Sequence, residues 1–437
     1  MDFSFTEEQV ILRENIVRFS REVLNKNVIE RDREQTFSRE LWKKCATIGI
    51  QGLPVPEQYG GSGCDALSSA IALEALGYGC HDGGLVFSLC AHLLSCVVPL
   101  WLHGNEEQKE RYLPGLCNGT LIGVHAMTEP GSGSDAFALR TRAEPDGAGF
   151  RINGTKTFIS NGPVADLVIV FAMTDAKKGY HGGVSAFLVE SNAPGFKASR
   201  KFEKMGLRTS HIGELVFDNL YVPAEAVLAG IGAGSTLFTN AMDWERICLF
   251  ASHIGAMERL LEKSIAHART RTQFGQAIGK FQAVAHRIVD MKVHLEAARL
   301  LTYRSAWRLG RIKNVSIDAS MTKLFVSESL VTAALATVQI HGGYGYMTET
   351  EVERALRDAV GSTIYSGTSE MQRNIISRWL GILVQSRSEG LRCADLYASR
   401  VRSFLSPLLA AYRITRPASH IPSTAPATSS ATSVRDA

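Results

Sequence analysis

The chain has 437 residues, with 47 Lys+Arg against 43 Asp+Glu and a formal net charge of +4. So even a balance excludes a nucleic-acid partner held by bulk charge, and the length suffices for two or three packed domains. The eight cysteines (Cys45, Cys64, Cys80, Cys90, Cys96, Cys117, Cys248, Cys393) form no C-x-x-C pair and the histidines are scattered. They read as reduced core thiols of a cytoplasmic protein, not as a disulfide framework or a metal site.

The opening MDFSFTEEQ is acidic and polar, unlike a signal peptide. Thr6 with Gln9 makes a capping box, and Phe5 is placed to staple against Val10. Leu12, Ile16, Phe19 and Val23 then share one helical face. Helical patterns follow over 39–48, 66–77, 85–101 and 106–117, interrupted by the turn-rich Leu53-Pro54-Val55-Pro56-Glu57-Gln58-Tyr59-Gly60-Gly61. The most apolar run, 83–102, contains His92 and Pro99, which favours a buried helix over a membrane span.

From about Ile122 the texture changes. Short apolar or alternating runs at 150–152, 157–159, 167–171, 186–189 and 214–217 are separated by Asp-Gly, Asn-Gly, Gly-Gly and Pro-Gly turns, as in an antiparallel sheet. Helical periodicity returns after Gly234, with a helix starting near Asn240 and others over 282–309, 317–340 and 369–384. The expected fold is α+β and multidomain: an N-terminal helical domain (1–121), a central antiparallel β domain (122–229) and a C-terminal four-helix bundle (230–388). An extension over 389–437 follows, disordered from about 413, where Pro, Ser, Thr and Ala dominate.

Between the helical and sheet textures lies Met127-Thr128-Glu129-Pro130-Gly131-Ser132-Gly133-Ser134-Asp135. Two glycines and two serines leave a loop of bare N–H and hydroxyl donors suited to a pyrophosphate or flavin edge. It superficially matches a dinucleotide fingerprint, but no buried strand leads straight into it and no amphipathic helix follows. Alone it reads as a surface turn. Its weight comes from four companions: Gly154-Thr-Lys-Thr-Phe-Ile-Ser160-Asn161-Gly162, Arg269-Thr-Arg271-Thr-Gln-Phe274-Gly275, Gln339-Ile-His-Gly342-Gly343-Tyr-Gly345 and Ile364-Tyr-Ser-Gly367-Thr368-Ser-Glu370.

Together, in this order, the five motifs resemble the acyl-CoA dehydrogenase family over residues 1 to about 385. The resemblance implies a three-domain FAD flavoprotein, a homotetramer built on dimers, that removes two hydrogens from an acyl thioester. It would place Met127, Thr128, Gly133 and Ser134 along the flavin and its pyrophosphate, with Ser134 also near substrate. Phe158, Ile159 and Ser160 would cover the flavin, a Phe standing where Trp is common. Thr368 and Glu370 would contact the flavin or its adenosine. Arg271, Phe274, Gln282, Gln339, Gly342 and Gly343 would hold FAD, partly across a subunit interface. Arg271 has its own rationale, since guanidinium pairs well with phosphate.

In this chemistry a carboxylate takes the Cα proton while hydride leaves Cβ for the flavin. Many members carry that glutamate just before the Gly-Thr-Ser of the last motif, where this chain has Ser366. The isovaleryl and long-chain branches place it on the long C-terminal helix, at the position of Glu245. Helical geometry sets Glu245 on a stripe with Leu249 and Ser252, beside Cys248 and Gly255, whose small side chains suggest room for substrate. The competing reading is a solvated glutamate in the first turn of a helix. The backbone N–H of Ser366, next to Gly367, would bind the thioester carbonyl, a role needing no side chain. Asp243 and Arg246 would face the substrate arm.

A narrower resemblance, of 75–87, 243–250, 265–275 and 366–372, is to the branch that oxidises prolyl groups on peptidyl carrier proteins to pyrrolinyl or pyrrolyl thioesters. It implies a phosphopantetheinylated carrier protein as the substrate's bearer and a flavoprotein or oxygen as electron acceptor. Alternatives are a short- or branched-chain enzyme acting on acyl-CoA, a flavin monooxygenase on the same fold, which would have no need for Glu245, and a flavin-free scaffold, which would not need the FAD motifs.

Overall fold

The computed structural model describes residues 4–312 and 314–382. Residues up to Ile376 form one compact unit, and a second begins at Ser377. The expected tail and Cys393 lie outside the described residues.

The N-terminal segment is helical because its apolar stripes and caps agree. The Thr6–Gln9 capping box forms, and the Glu7–Phe19 helix buries Ile16 with Leu12, Val17 and Phe19 partly covered. The expected Phe5–Val10 staple does not form. Phe5 turns instead to the ring of Tyr303, 5.7 Å away, and Val10 stays exposed. The apolar run becomes one helix, Gly83–His103, with a π turn at Leu93–Val97. Leu93, Leu94 and Cys96 to Leu100 are buried, and so is Ser95 among them, so the run is core. His92 ties it down: Nε2 meets the Leu116 carbonyl and Nδ1 accepts the Gly123 N–H.

The central segment is an eight-stranded sheet in the order β6-β7-β3-β2-β4-β5-β8, with β1 added beside β4. The strands are β1 (Gly123–Ala126), β2 (Arg142–Asp146), β3 (Gly149–Ser160), β4 (Leu167–Met173), β5 (Val184–Glu190), β6 (Phe196–Lys201), β7 (Ile212–Pro223) and β8 (Val227–Leu228). The expectation of an antiparallel sheet needs one correction. β1 runs parallel to β4, and β2 touches β4 in parallel at Arg142–Met173. The 40 residues between β1 and β4, which include β2 and β3, provide the long crossover that parallel pairing requires. The runs at 150–152 and 157–159 are one strand broken by bulges against β7, the second falling between Lys156 and Ile159. Phe158 sits there with φ +55° and its ring turned outward beside Phe202.

The C-terminal segment packs Gly234–Thr270, Gln282–Arg308, Ser316–His341 and Ser369–Trp379, with a further helix at Val352–Gly361. The first begins at Gly234, not near Asn240, and is interrupted by a π turn at Glu245–Leu249. It crosses the Ala66–Gly79 helix at two glycines. A Cβ on Gly77 would lie 1.9 Å from the Ser252 carbonyl oxygen, and one on Gly255 would lie 2.1 Å from that of Glu74.

Candidate active site

Glu245 opens its π turn in mid-helix and is buried. It is therefore not a solvated first-turn glutamate. One carboxylate oxygen, Oε2, accepts the Ser95 hydroxyl at 2.5 Å, and Oε1 accepts the Ser366 hydroxyl in a short hydrogen bond. The expected stripe beside it has two settings. Cys248 and Gly255 pack on the Ala66–Gly79 helix, with Cys248 Sγ against the Ala66 carbonyl and the two glycine contacts described above. Ser252 lines a cavity with Phe87, His253 and Tyr365.

Ser366 is held in the left-handed region, φ +58°. Its carbonyl accepts Arg246 Nε at 2.9 Å and Gln372 Nε2 at 3.2 Å. Gly367 follows at φ +87°, and a Cβ there would lie 2.7 Å from Gln372 Nε2, so glycine is required. Among the described residues no acceptor meets the Ser366 N–H, which leaves it available beside the Glu245 carboxylate. The Ser366 side chain, expected to be idle, is bonded to the carboxylate. Arg246 Nε is the donor to the Ser366 carbonyl, and the Arg246 charge acts on Asp243. Asp243 is buried, with Oδ2 accepting Ser316 Oγ at 2.9 Å and Oδ1 without a partner. Burial pushes its carboxyl up to about 6, against the Ser316 bond and the Arg246 charge.

The Met127–Asp135 loop is pinned by residues that the sequence reading did not single out. Glu129 Oε1 accepts Lys156 Nζ at 2.8 Å and the Thr141 N–H, and Oε2 accepts the Arg140 N–H. Lys156 Nζ also donates to the Met127 carbonyl, and the Thr157 N–H to that of Thr128. This lysine is wholly buried in β3. In the sequence it stands between Thr155 and Thr157, and nothing local marks it as buried. Ser95 did carry a signal, a lone hydroxyl between Leu94 and Cys96.

The pinning leaves the rest of the loop open. Gly133 and Ser134 are exposed, and a Cβ on Gly131 or Gly133 would meet nothing within 4 Å. Ile159 is buried, Ser160 half-buried and Phe158 exposed at the β3 bulge. Thr368 caps the Ser369–Trp379 helix, its hydroxyl accepting the Met371 N–H, with Glu370 exposed in the first turn. A second group lies at the bundle's end. Arg271 stands over Tyr344, Phe274 is 93 % exposed, Gln282 and Gln339 are exposed, and Gly342 and Gly343 are likewise open to a Cβ. Open glycines, a helix N-terminus and exposed aromatic rings suit a flat, phosphate-bearing cofactor.

Three sequence models cover the chain in register: acyl-CoA dehydrogenase N-terminal domain over 6–120, middle domain over 125–220 and C-terminal domain over 232–381. The chain belongs to the acyl-CoA dehydrogenase family. It is 41 % identical over 382 residues, covering 87 % of this chain and 99 % of the relative, to an L-prolyl-[peptidyl-carrier protein] dehydrogenase of Serratia sp.. Among solved structures it is similar to the prolyl acyl carrier protein oxidase AnaB, with a TM-score of 0.85 and 45 % identity over 86 % of this chain and 100 % of that one. A structure of PigA with FAD and proline gives 0.85 and 40 % over 87 % and 100 %. As a member of this family the protein is an oxidoreductase acting on a CH–CH bond, with the three-segment fold that the motifs imply.

Proposed function

We propose that this protein is an FAD-dependent dehydrogenase that oxidises the Cα–Cβ bond of a prolyl group carried as a thioester on a peptidyl carrier protein. The observation that carries the reading is the Glu245 carboxylate, buried and hydroxyl-bonded beside the unpaired N–H of Ser366. Likeness to proteins named for prolyl-carrier oxidation supports the substrate, and the PigA structure with FAD supports the cofactor.

Glu245 takes the Cα proton. The Ser366 N–H donates to the thioester oxygen as it gains enolate character, a bond worth most where water is excluded. Bound FAD would supply the acceptor for the hydride that leaves Cβ. Met127, Thr128, Gly133, Ser134, Phe158, Ile159, Ser160, Thr368 and Glu370 would line its flavin side, and Arg271, Phe274, Gln282, Gln339, Gly342 and Gly343 would hold its other end. Asp243 Oδ1, buried with no partner, offers an acceptor to an amide N–H of the phosphopantetheine arm. Loss of two hydrogens gives a pyrroline, and loss of two more gives the pyrrole. A flavoprotein or oxygen takes up the electrons.

The protein works as a homotetramer. On the Gln282–Arg308 helix, Val289, Val293, Leu300 and Trp307 fall on one stripe and each is more than half exposed, as is Phe274. A second copy covering that face would complete the cofactor site at Phe274. The seven described cysteines are unpaired, which suits a reducing cytoplasm.

Anaerobic mixing tests the substrate. Prolyl-carrier thioester should bleach the flavin's visible band within the first turnover, and butyryl-CoA should not. The reverse pattern would assign the chain to short-chain acyl-CoA oxidation.

A further inference from the structure

Two helices and a loop converge on the Glu245 carboxylate, and each neighbour brings one hydroxyl. Ser95 comes from the π turn Leu93–Val97 and Glu245 from the π turn Glu245–Leu249, while Ser366 comes from the loop before the Ser369–Trp379 helix. Ser95 is buried between Leu94 and Cys96, and its hydroxyl has one partner, Glu245 Oε2. Ser366 keeps a left-handed backbone that non-glycine residues adopt at a cost, and two side chains hold its carbonyl in place. Strain maintained in this way needs a reason. The bond from its Oγ to Glu245 Oε1 supplies one.

We propose that Ser95 and Ser366 are positioning residues that act through Glu245, one hydroxyl on each carboxylate oxygen, to fix the direction in which it meets the substrate. The inference rests on the reading of Glu245 as the base. An ionised carboxylate only accepts hydrogen bonds, so both serines must donate. Each oxygen keeps a lone pair free for the incoming proton.

The other titratable groups facing the carboxylate do not replace these donors. They are the Cys90 thiol, the Tyr365 phenol and the Arg246 guanidinium. Burial pushes Cys90 up to about 12 and raises Tyr365 well above the usual phenol range, so both are neutral. Tyr365 Oη lies 2.6 Å from His253 Nε2, and Arg246 Nε is bonded to the Ser366 carbonyl.

The test is kcat, KM and the deuterium isotope effect on kcat for substrate labelled at Cα, measured on the FAD-loaded enzyme with its carrier-bound substrate. Ser95→Ala and Ser366→Ala should each lower kcat about tenfold with KM little changed, and raise the isotope effect as proton removal slows. Their FAD content should match the parent's. Ser95→Thr, which restores the hydroxyl, should bring kcat back. If Ser95→Ala does not fold, Ser95→Cys, a weaker donor of similar size, should show a smaller loss in the same direction. An unchanged kcat and isotope effect in the folded serine variants overturns the proposal. Glu245→Gln separates the two claims. A dead Glu245→Gln beside unchanged serine variants removes only the positioning role, whereas an active Glu245→Gln removes the base.

Discussion

Lys156 shows how a single side chain holds the Met127–Asp135 loop. Its ammonium is buried and joins Glu129 Oε1 and the Met127 carbonyl, bridging β3 to the Met127–Asp135 loop. Burial pulls Lys156 down to about 8, opposed by the Glu129 charge. Burial pushes Glu129 up, but Lys156 and the N–H donors overcome it and hold the carboxyl below its usual range. Removing one member of such a pair strands the other, at a cost of about 3–5 kcal/mol. Lys156→Met should therefore lower the melting temperature and the FAD bound per chain. Adding Glu129→Gln should recover part of the stability, because the stranded charge is gone. If Lys156→Met leaves both melting and FAD content unchanged, the pair does not anchor the loop. The motif's glycines and serines were legible in the sequence because their chemistry is local. Its anchor was not, since Glu129 and Lys156 meet only when β3 folds beside the loop.

Among the elements, those with strong local signals came out close to expectation. The capped helices Glu7–Phe19 and Glu106–Cys117 begin at their capping boxes, and β4 and β5 follow their apolar runs. The short strands β1, β2, β6 and β8 carry few apolar residues or few residues at all, and their pairing depends on neighbours distant in sequence. The π turns at Leu93–Val97 and Glu245–Leu249 were invisible for a different reason. A 3.6-residue pattern read through Glu245 carries no mark of the inserted residue, so the packing of Gly255 on the Ala66–Gly79 helix could not be read from it. Glu245 as a candidate base was readable from resemblance. The serine on either side of it was not, because Ser95 is 150 residues away and Ser366 had been assigned only a backbone role.

At the scale of the whole molecule, one buried histidine and three half-buried ones link stability to pH. Burial holds His92 and His81 down at about 4 and His125 and His253 at about 3, from an ordinary 6.5. His92 also has a structural reason to stay neutral, since Nδ1 accepts the Gly123 N–H. The sign follows from which state binds protons. Above about pH 6.5 both states are neutral at these rings and their contribution is fully present. As pH falls from 6.5 toward 4 the unfolded chain takes up protons that the folded one refuses, and stability is lost. For His92 alone the loss approaches about 3 kcal/mol. Urea unfolding should give a midpoint that is level above pH 7 and falls steeply between 6.5 and 4, with a shallower fall in a His92→Gln variant that still folds. A midpoint independent of pH across that range would contradict the burial of neutral rings.

The central claim is that Glu245 starts the oxidation of a carrier-bound prolyl group. Intact-mass measurement on the carrier tests it most directly. Prolyl-loaded holo carrier, incubated with the enzyme and an electron acceptor, should lose two or four hydrogens. Glu245→Gln, with FAD bound as in the parent, should slow that loss by at least about 10²-fold. A carrier whose mass does not change while isovaleryl- or butyryl-CoA is oxidised, or an unimpaired Glu245→Gln enzyme, would contradict the account.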